Sequence, residues 1–76
     1  MIESALIIIR RYPAWIEAPT STSNANRVFQ FDDALLTIFP DGGWTVEQPL
    51  GIEFTKHQGT INNLETFLEV FAAANP

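Results

Sequence analysis

His57 is the only imidazole in the chain, so proton transfer or metal ligation would have to run through it. A Ser-His-Asp arrangement would take its nucleophile from Thr20, Ser21, Thr22 or Ser23. None of these hydroxyls stands in a G-x-S-x-G context, the turn that presents a nucleophilic serine. His57 lies between Lys56 and Gln58-Gly59, the setting of a solvated histidine at a strand end. Glu53 would share its strand face but sit ~13 Å away along it, beyond pairing reach. With no cysteine in the chain, thiolate catalysis and a His/Cys zinc site are both excluded. Asp32, Asp33 and Asp41 are the candidate cation ligands, but no D-x-D-x-D-G loop is present. Neighbouring aspartates on a strand point to opposite faces, so a turn role suits Asp32 and Asp33 better. Gly42, Gly43, Gly51 and Gly59 form neither a G-x-G-x-x-G nor a P-loop pattern. The expectation is a non-enzyme with no catalytic residue, no metal and no cofactor.

Charge is the one feature that points to a partner. From Asp32 onward there are seven carboxylates (Asp32, Asp33, Asp41, Glu47, Glu53, Glu65, Glu69) and a single cation, Lys56. The preceding residues carry Arg10, Arg11 and Arg27 against Glu3 and Glu17. The net charge of −5 thus lies in the C-terminal part, and such a field repels nucleic acid and anionic lipid while attracting basic partners. Arg10-Arg11, the only basic pair, is too little for binding a phosphate backbone. Trp15 and Trp44 are the candidate contact aromatics, since Trp is enriched in interface hot spots. Trp44 follows a hairpin turn, where it either reaches a partner or packs in the core opposite Phe39.

These residues must be positioned by a small domain. At 76 residues the chain is read as one domain, and it buries only ~60% of its unfolded surface. The apolar content of 46% argues against disorder. No apolar run approaches the ~18 residues of a membrane span, and the short run Ala5 to Ile9 has the wrong flanks for a signal peptide. A cytoplasmic protein is expected.

The fold class expected is α+β: a small antiparallel sheet of three to five strands with one C-terminal amphipathic helix packed on one face. Segment 2–12 also fits a helical stripe (Ile2, Ala5, Leu6, Ile9), but its β-branched run predicts a strand. Pro13 ends it. Ala14 to Glu17 is a short extended piece, and residues 19–26 form a polar, mobile loop. Val28 to Phe31, Ala34 to Phe39 and Trp44 to Glu47 are strands, reversed at Asp32-Asp33 and Asp41-Gly42. Pro49 and Gly51 interrupt the third, and Ile52 to Lys56 is an edge strand. Asn62 caps a helix whose stripe is Leu64, Phe67, Leu68 and Phe71, with Glu65 completing a variant capping box.

A two-residue turn at Asp41-Gly42 puts Phe39, Leu35, Trp44 and Val46 on one face. Leu36, Ile38, Phe29 and Phe31 then fall on the other, and both faces are strongly apolar. One helix covers one face; the second needs the N-terminal segment, a second copy or a partner.

The functional reading that follows is a non-enzymatic, acidic protein-binding module: an inhibitor that occupies a basic surface of a target protein. Asp32, Asp33, Asp41, Glu47 and Glu53 would meet the target's basic side chains, with Trp44 at the dry centre. Phage-encoded anti-defence proteins, anti-CRISPR proteins among them, and immunity proteins share this size and charge, a likeness of composition only. The alternative is a structural subunit that buries its apolar face against its own copy, as in a homodimer.

Overall fold

The structure, a computed structural model, describes residues 2–19 and 26–74. In chain order the elements are α1 (Ile2–Ile9), β1 (Ile16–Ala18), β2 (Arg27–Phe31), β3 (Ala34–Ile38), β4 (Trp44–Leu50), β5 (Glu53–Gly59) and α2 (Ile61–Ala74). The strands form one antiparallel sheet in the order β1-β2-β3-β4-β5. The α+β class, the antiparallel sheet and the C-terminal helix packed on it are as expected. Residues 20–25 of the predicted polar loop lie outside the described residues.

Three tight reversals decide which side chains share a face. Asp32-Asp33 closes the pair Phe31 and Ala34, with Asp32 in the left-handed region at φ 53°. Aspartate tolerates that conformation better than most residues. Gly51-Ile52 closes Leu50 and Glu53, with Gly51 at φ 65° in the first loop position, where a two-residue hairpin turn favours glycine.

The third reversal, between β3 and β4, corrects the predicted register. It is a three-residue loop, Pro40-Asp41-Gly42, and not a two-residue turn on Asp41-Gly42. The Phe39 N–H donates to the Gly43 carbonyl at 2.8 Å, and the Gly42 N–H donates to the Phe39 carbonyl at 2.9 Å. Pro40 pre-sets the first turn angle, Gly42 takes the left-handed position at φ 92°, and the Gly43 N–H donates to Asp41 Oδ1 at 2.8 Å. Ile38 therefore stands opposite Trp44, and Leu36 opposite Val46. A slip of one residue exchanges the faces of a strand. Phe29, Phe31, Leu36, Ile38, Trp44 and Val46 consequently share one face, and the expectation of two strongly apolar faces is overturned.

Pro49 does not break β4. It stands opposite Phe54, beyond Leu35–Glu47, the last pair that β4 makes with β3 in this direction. The side of Pro49 that lacks an N–H faces a position with no strand, which a sheet tolerates.

Segment 2–12 forms a helix and not the predicted strand. Ala5, Leu6 and Ile9 are buried, so the helical stripe dominates over the β-branched run. β-Propensity is weak beside tertiary burial, and here a single stripe finds α2 and the sheet to pack on. The helix closes through Arg11 and Tyr12 N–H groups donating to Ile8 and Ile9 carbonyls, before Pro13.

The cap of α2 also lies two residues earlier than expected. Thr60, not Asn62, is the N-cap: the Asn63 N–H donates to the Thr60 carbonyl at 3.2 Å, and the Thr60 N–H donates to Asn63 Oδ1 at 3.0 Å. Asn63 thus plays the part assigned to Glu65, which instead accepts from Arg11 at 2.6 Å and ties the end of α1 to α2.

Both helices pack on the same side of the sheet. Leu64 and Leu68 of α2 join Ala5, Leu6 and Ile9 of α1 over Phe29, Ala34, Leu36, Ile38 and Val46. An aromatic seam runs through this layer. Trp44 meets Phe67 at 4.8 Å, Phe67 meets Phe71 at 5.7 Å, and Phe71 meets Trp15 at 5.2 Å and Phe31 at 5.4 Å. Such tilted pairs add about 0.5–1.5 kcal/mol each beyond their buried area.

The short strand β1 is latched by a two-point ion pair. Arg27 Nε and Nη2 donate to the two Glu17 oxygens, the second at 2.8 Å. The hydrogen bond and charge of Arg27 hold the Glu17 carboxyl below its ordinary value of 4.5. A depressed carboxyl contributes stability that is present above its unfolded value and lost as pH falls through the folded one. Both partners are about a third exposed, so screening limits the contribution to ~0.5 kcal/mol. Glu17→Gln should therefore melt ~2–4 °C below the parent at neutral pH, and the gap should shrink as pH falls below the ordinary carboxylate range. Thermal melts from neutral to acid pH check this; a gap that does not change with pH would assign the effect to packing.

Candidate functional site: the open sheet face

With both helices on one side, the other side of the sheet is bare, and none of its described side chains is buried. Two cross-strand rows span it. One row is Ile16, Gln30, Leu35, Glu47 and Lys56; the other is Ala18, Val28, Thr37, Thr45 and Gln58. Pro49 and Phe54 add a pair toward the β4–β5 turn. Ile16 is 69% exposed, Leu35 45% and Phe54 70%. Each belongs to a strand whose opposite face is in, or next to, the core, and strand alternation forces it outward.

The acids fall into three places. Asp32, Asp33 and Glu53 stand at the end of the sheet that holds the β2–β3 and β4–β5 turns. Asp33 accepts from Gln48 Nε2 at 3.2 Å, which ties the β2–β3 turn to β4. Glu47 lies on the open face itself, between Leu35 and Lys56. Asp41 is at the far end of β3, where it braces its own turn. A shallow depression of ~370 Å³ opens beside it, lined by Phe39, Thr45 and Gln58 among others. Of the five candidate acids, Glu47 alone lies on the open face; Asp32, Asp33 and Glu53 stand at one end of the sheet, with Glu53 directed to the helix side like His57, and Asp41 stands at the other end.

Trp44 cannot belong to this surface. It points to the covered face, is 3% exposed, and its indole N–H donates to the Thr60 carbonyl at 2.8 Å and to Asn63 Oδ1 at 3.2 Å. Its role is to seat the start of α2, the core alternative weighed for it. Trp15 is buried as well, against Phe31 and Phe71. The contact aromatic that the surface does offer is Phe54. Sequence patterning missed it, together with Ile16 and Leu35, because their outward direction follows from the register. The signal present in the sequence was Pro40, which marks a turn beginning one residue before Asp41.

His57 lies on the helix side of β5, exposed, with its ring 5.7 Å from that of Phe67. No acid of the described residues bonds to it among the hydrogen bonds and ion pairs seen. Among the described residues there is also no group of three or more His, Cys, Asp or Glu side chains that converges as a metal site. No helix among them is long and apolar enough to cross a membrane. The surface exposes the apolar side chains of Ile16, Leu35 and Phe54 among Gln30, Glu47 and Lys56. No protein-family model, curated protein or solved structure matches this chain.

Proposed function

We propose that the chain is a non-enzymatic protein-binding module that occupies a basic surface of a target protein, in the manner of an inhibitor, with the open sheet face as its contact. The observation that carries this reading is the bare face, where exposed Ile16, Leu35 and Phe54 are accompanied by Glu47 and Lys56, with Asp32, Asp33 and Glu53 at the turn end of the same sheet. A dry apolar centre with a charged rim is the anatomy of a protein interface. The rim charges steer and select a basic partner, and the apolar centre supplies the residence time. The small size and the charge of −5 suit a phage-type anti-defence or immunity-style inhibitor that covers a basic groove.

The test begins with capture from lysate on the immobilised chain at low and high salt, followed by binding isotherms with the captured partner. The partner should be stoichiometric, basic and released by salt. The triple variant Asp32→Asn, Asp33→Asn, Glu53→Gln should bind it ~10–100-fold more weakly, from ~0.5–1 kcal/mol for each rim charge. A partner held equally well by the triple variant and at high salt would defeat the acidic-rim mechanism.

A further inference from the structure

The sheet ends in two unequal edges. β1 is three residues long, whereas β5 runs seven residues, Glu53 to Gly59, and among the described residues no strand lies beyond it. The pairing of β5 with β4 is continuous from Leu50–Glu53 to Trp44–Gly59, without a bulge. A long, regular edge is a template for another strand, and proteins usually blunt such edges with proline, bulges or several charges. β5 has no proline, and its middle carries the one lysine.

The direction of its free backbone groups can be derived. Pro49 has no N–H to give, so its pair with Phe54 is a non-hydrogen-bonded one. Alternation then turns the N–H and C=O of Phe54, Lys56 and Gln58 outward, away from β4.

We propose that β5 pairs with itself: the chain forms a two-fold dimer in which the β5 strands of two copies run antiparallel, Thr55 opposite Thr55. A two-fold axis perpendicular to the sheet keeps each face on its own side, so a self-pairing register must centre on a residue. Centring on Lys56 sets lysine against lysine, which is disfavoured. Centring on His57 leaves Glu53 and Phe54 without counterparts. Centring on Thr55 places Glu53 opposite His57 of the second copy and Phe54 opposite Lys56 of the second copy. The carboxylate then meets an imidazole, and the aromatic ring meets an aliphatic lysine stem. Phe54 and Lys56 are residues whose backbone groups point outward, so this register supplies about four inter-copy hydrogen bonds.

A second observation agrees. Phe67, beside His57 and Trp44, marks the flank of α2 that faces β5. Val70, about one turn further along that flank, is 64% exposed. In the dimer both α2 helices lie on the same side of one continuous sheet, and these flanks turn toward each other across the axis. The open faces also join into one surface twice as wide. Because each copy carries a net charge of −5, added salt tightens this pairing, whereas it weakens binding to a basic partner. The edge and the open face therefore fail or succeed separately.

The absence of cysteine makes the register directly testable. Thr55→Cys, Lys56→Cys and His57→Cys each introduce one thiol, to be oxidised under identical mild conditions and followed on non-reducing gels, with circular dichroism confirming the fold. Self-opposed positions in a non-hydrogen-bonded pair stand ~4.5 Å apart at Cα, within disulfide reach. In the same register the two residues at position 56 are ~9 Å apart and those at 57 further still, outside that reach. Thr55→Cys should cross-link at least ~10-fold faster than the other two, and the parent chain should sediment as a dimer at ~100 μM, more completely with added salt. Should Thr55→Cys misfold, Phe54→Pro replaces it: it removes an outward N–H together with a ring that is 70% exposed in the single copy, and should yield a folded monomer. A parent chain that stays monomeric at ~1 mM, a dimeric Phe54→Pro, or fastest cross-linking at Lys56→Cys or His57→Cys would overturn the proposal.

Discussion

Gly59→Ala should lower the melting temperature by ~10–20 °C, the loss expected for ~3 kcal/mol in a chain of this size. Nothing in the local backbone demands glycine there, since Gly59 is not among the positive-φ residues. The demand comes from crowding. Gly59 stands opposite Trp44 in the ladder, and a Cβ at this position would lie 2.6 Å from Trp44 Cζ2 and would overlap Asn63 Oδ1. The indole cannot retreat, because it is buried and held by its N–H bonds to Thr60 and Asn63. Asn63 can rotate, but only by abandoning the Thr60 N–H that it caps. Overpacking of ~1–3 kcal/mol and a lost cap of ~1 kcal/mol then add. Gly43→Ala is the control: the tightest contact of its Cβ would be Asp41 Oδ1, at 3.1 Å, where a carboxylate tip can move, and the Gly59 carbonyl at 3.6 Å is an ordinary contact. Thermal unfolding of both variants decides the matter. If the two melt alike, the close seat of Gly59 between Trp44 and Asn63 is wrong.

Leu36→Ala should cost ~2–5 kcal/mol, while Leu35→Ala should change stability by less than ~0.5 kcal/mol. The two leucines are neighbours on β3 and differ only in the face they point to. Leu36 has no exposed surface and sits between Phe29 and Val46 in its cross-strand row. Leu35 is nearly half exposed between Gln30 and Glu47. Denaturant titration of both variants therefore reads the sheet register through a single strand. Comparable costs for the two substitutions would restore the register implied by a two-residue turn, which sets each leucine on a strongly apolar face. Leu35→Ala carries a second consequence: it removes part of the dry centre of the proposed contact, so it should weaken partner binding without weakening the fold.

Much of the architecture is legible in the sequence. The stripe of Leu64, Phe67, Leu68 and Phe71 marked α2, and the Asp32-Asp33 and Asp41-Gly42 signals marked reversals that do exist. The differences between sequence expectation and structure come down to offsets of one or two residues. Taking Pro40 as outside the β3–β4 turn shortened the loop by one, and that single step moved Leu36 and Ile38 away from Trp44 and Val46. The differences at the candidate site have other causes: a tryptophan just after a hairpin turn fits a rim position as well as a core one, and the outward faces of Phe54 and Ile16 follow from the β4–β5 and β1–β2 pairings. Segment 2–12 shows a different limit. Its residues satisfy a strand by propensity and a helix by spacing, and only the presence of α2 alongside gives the helical stripe somewhere to be buried.

Composition and order alone determined the class of the protein, its acidic C-terminal part, its empty stock of cysteine and the amphipathic helix that closes the chain, because these depend on residue type and local period. Tertiary structure decided the rest. The Phe39 and Gly43 hydrogen bond set the register, the register sorted the side chains between two faces, and the docking of both helices on one of them left the other face bare. Alternation makes a strand's two faces equivalent until a neighbour chooses between them, and that choice is made by contacts distant in sequence.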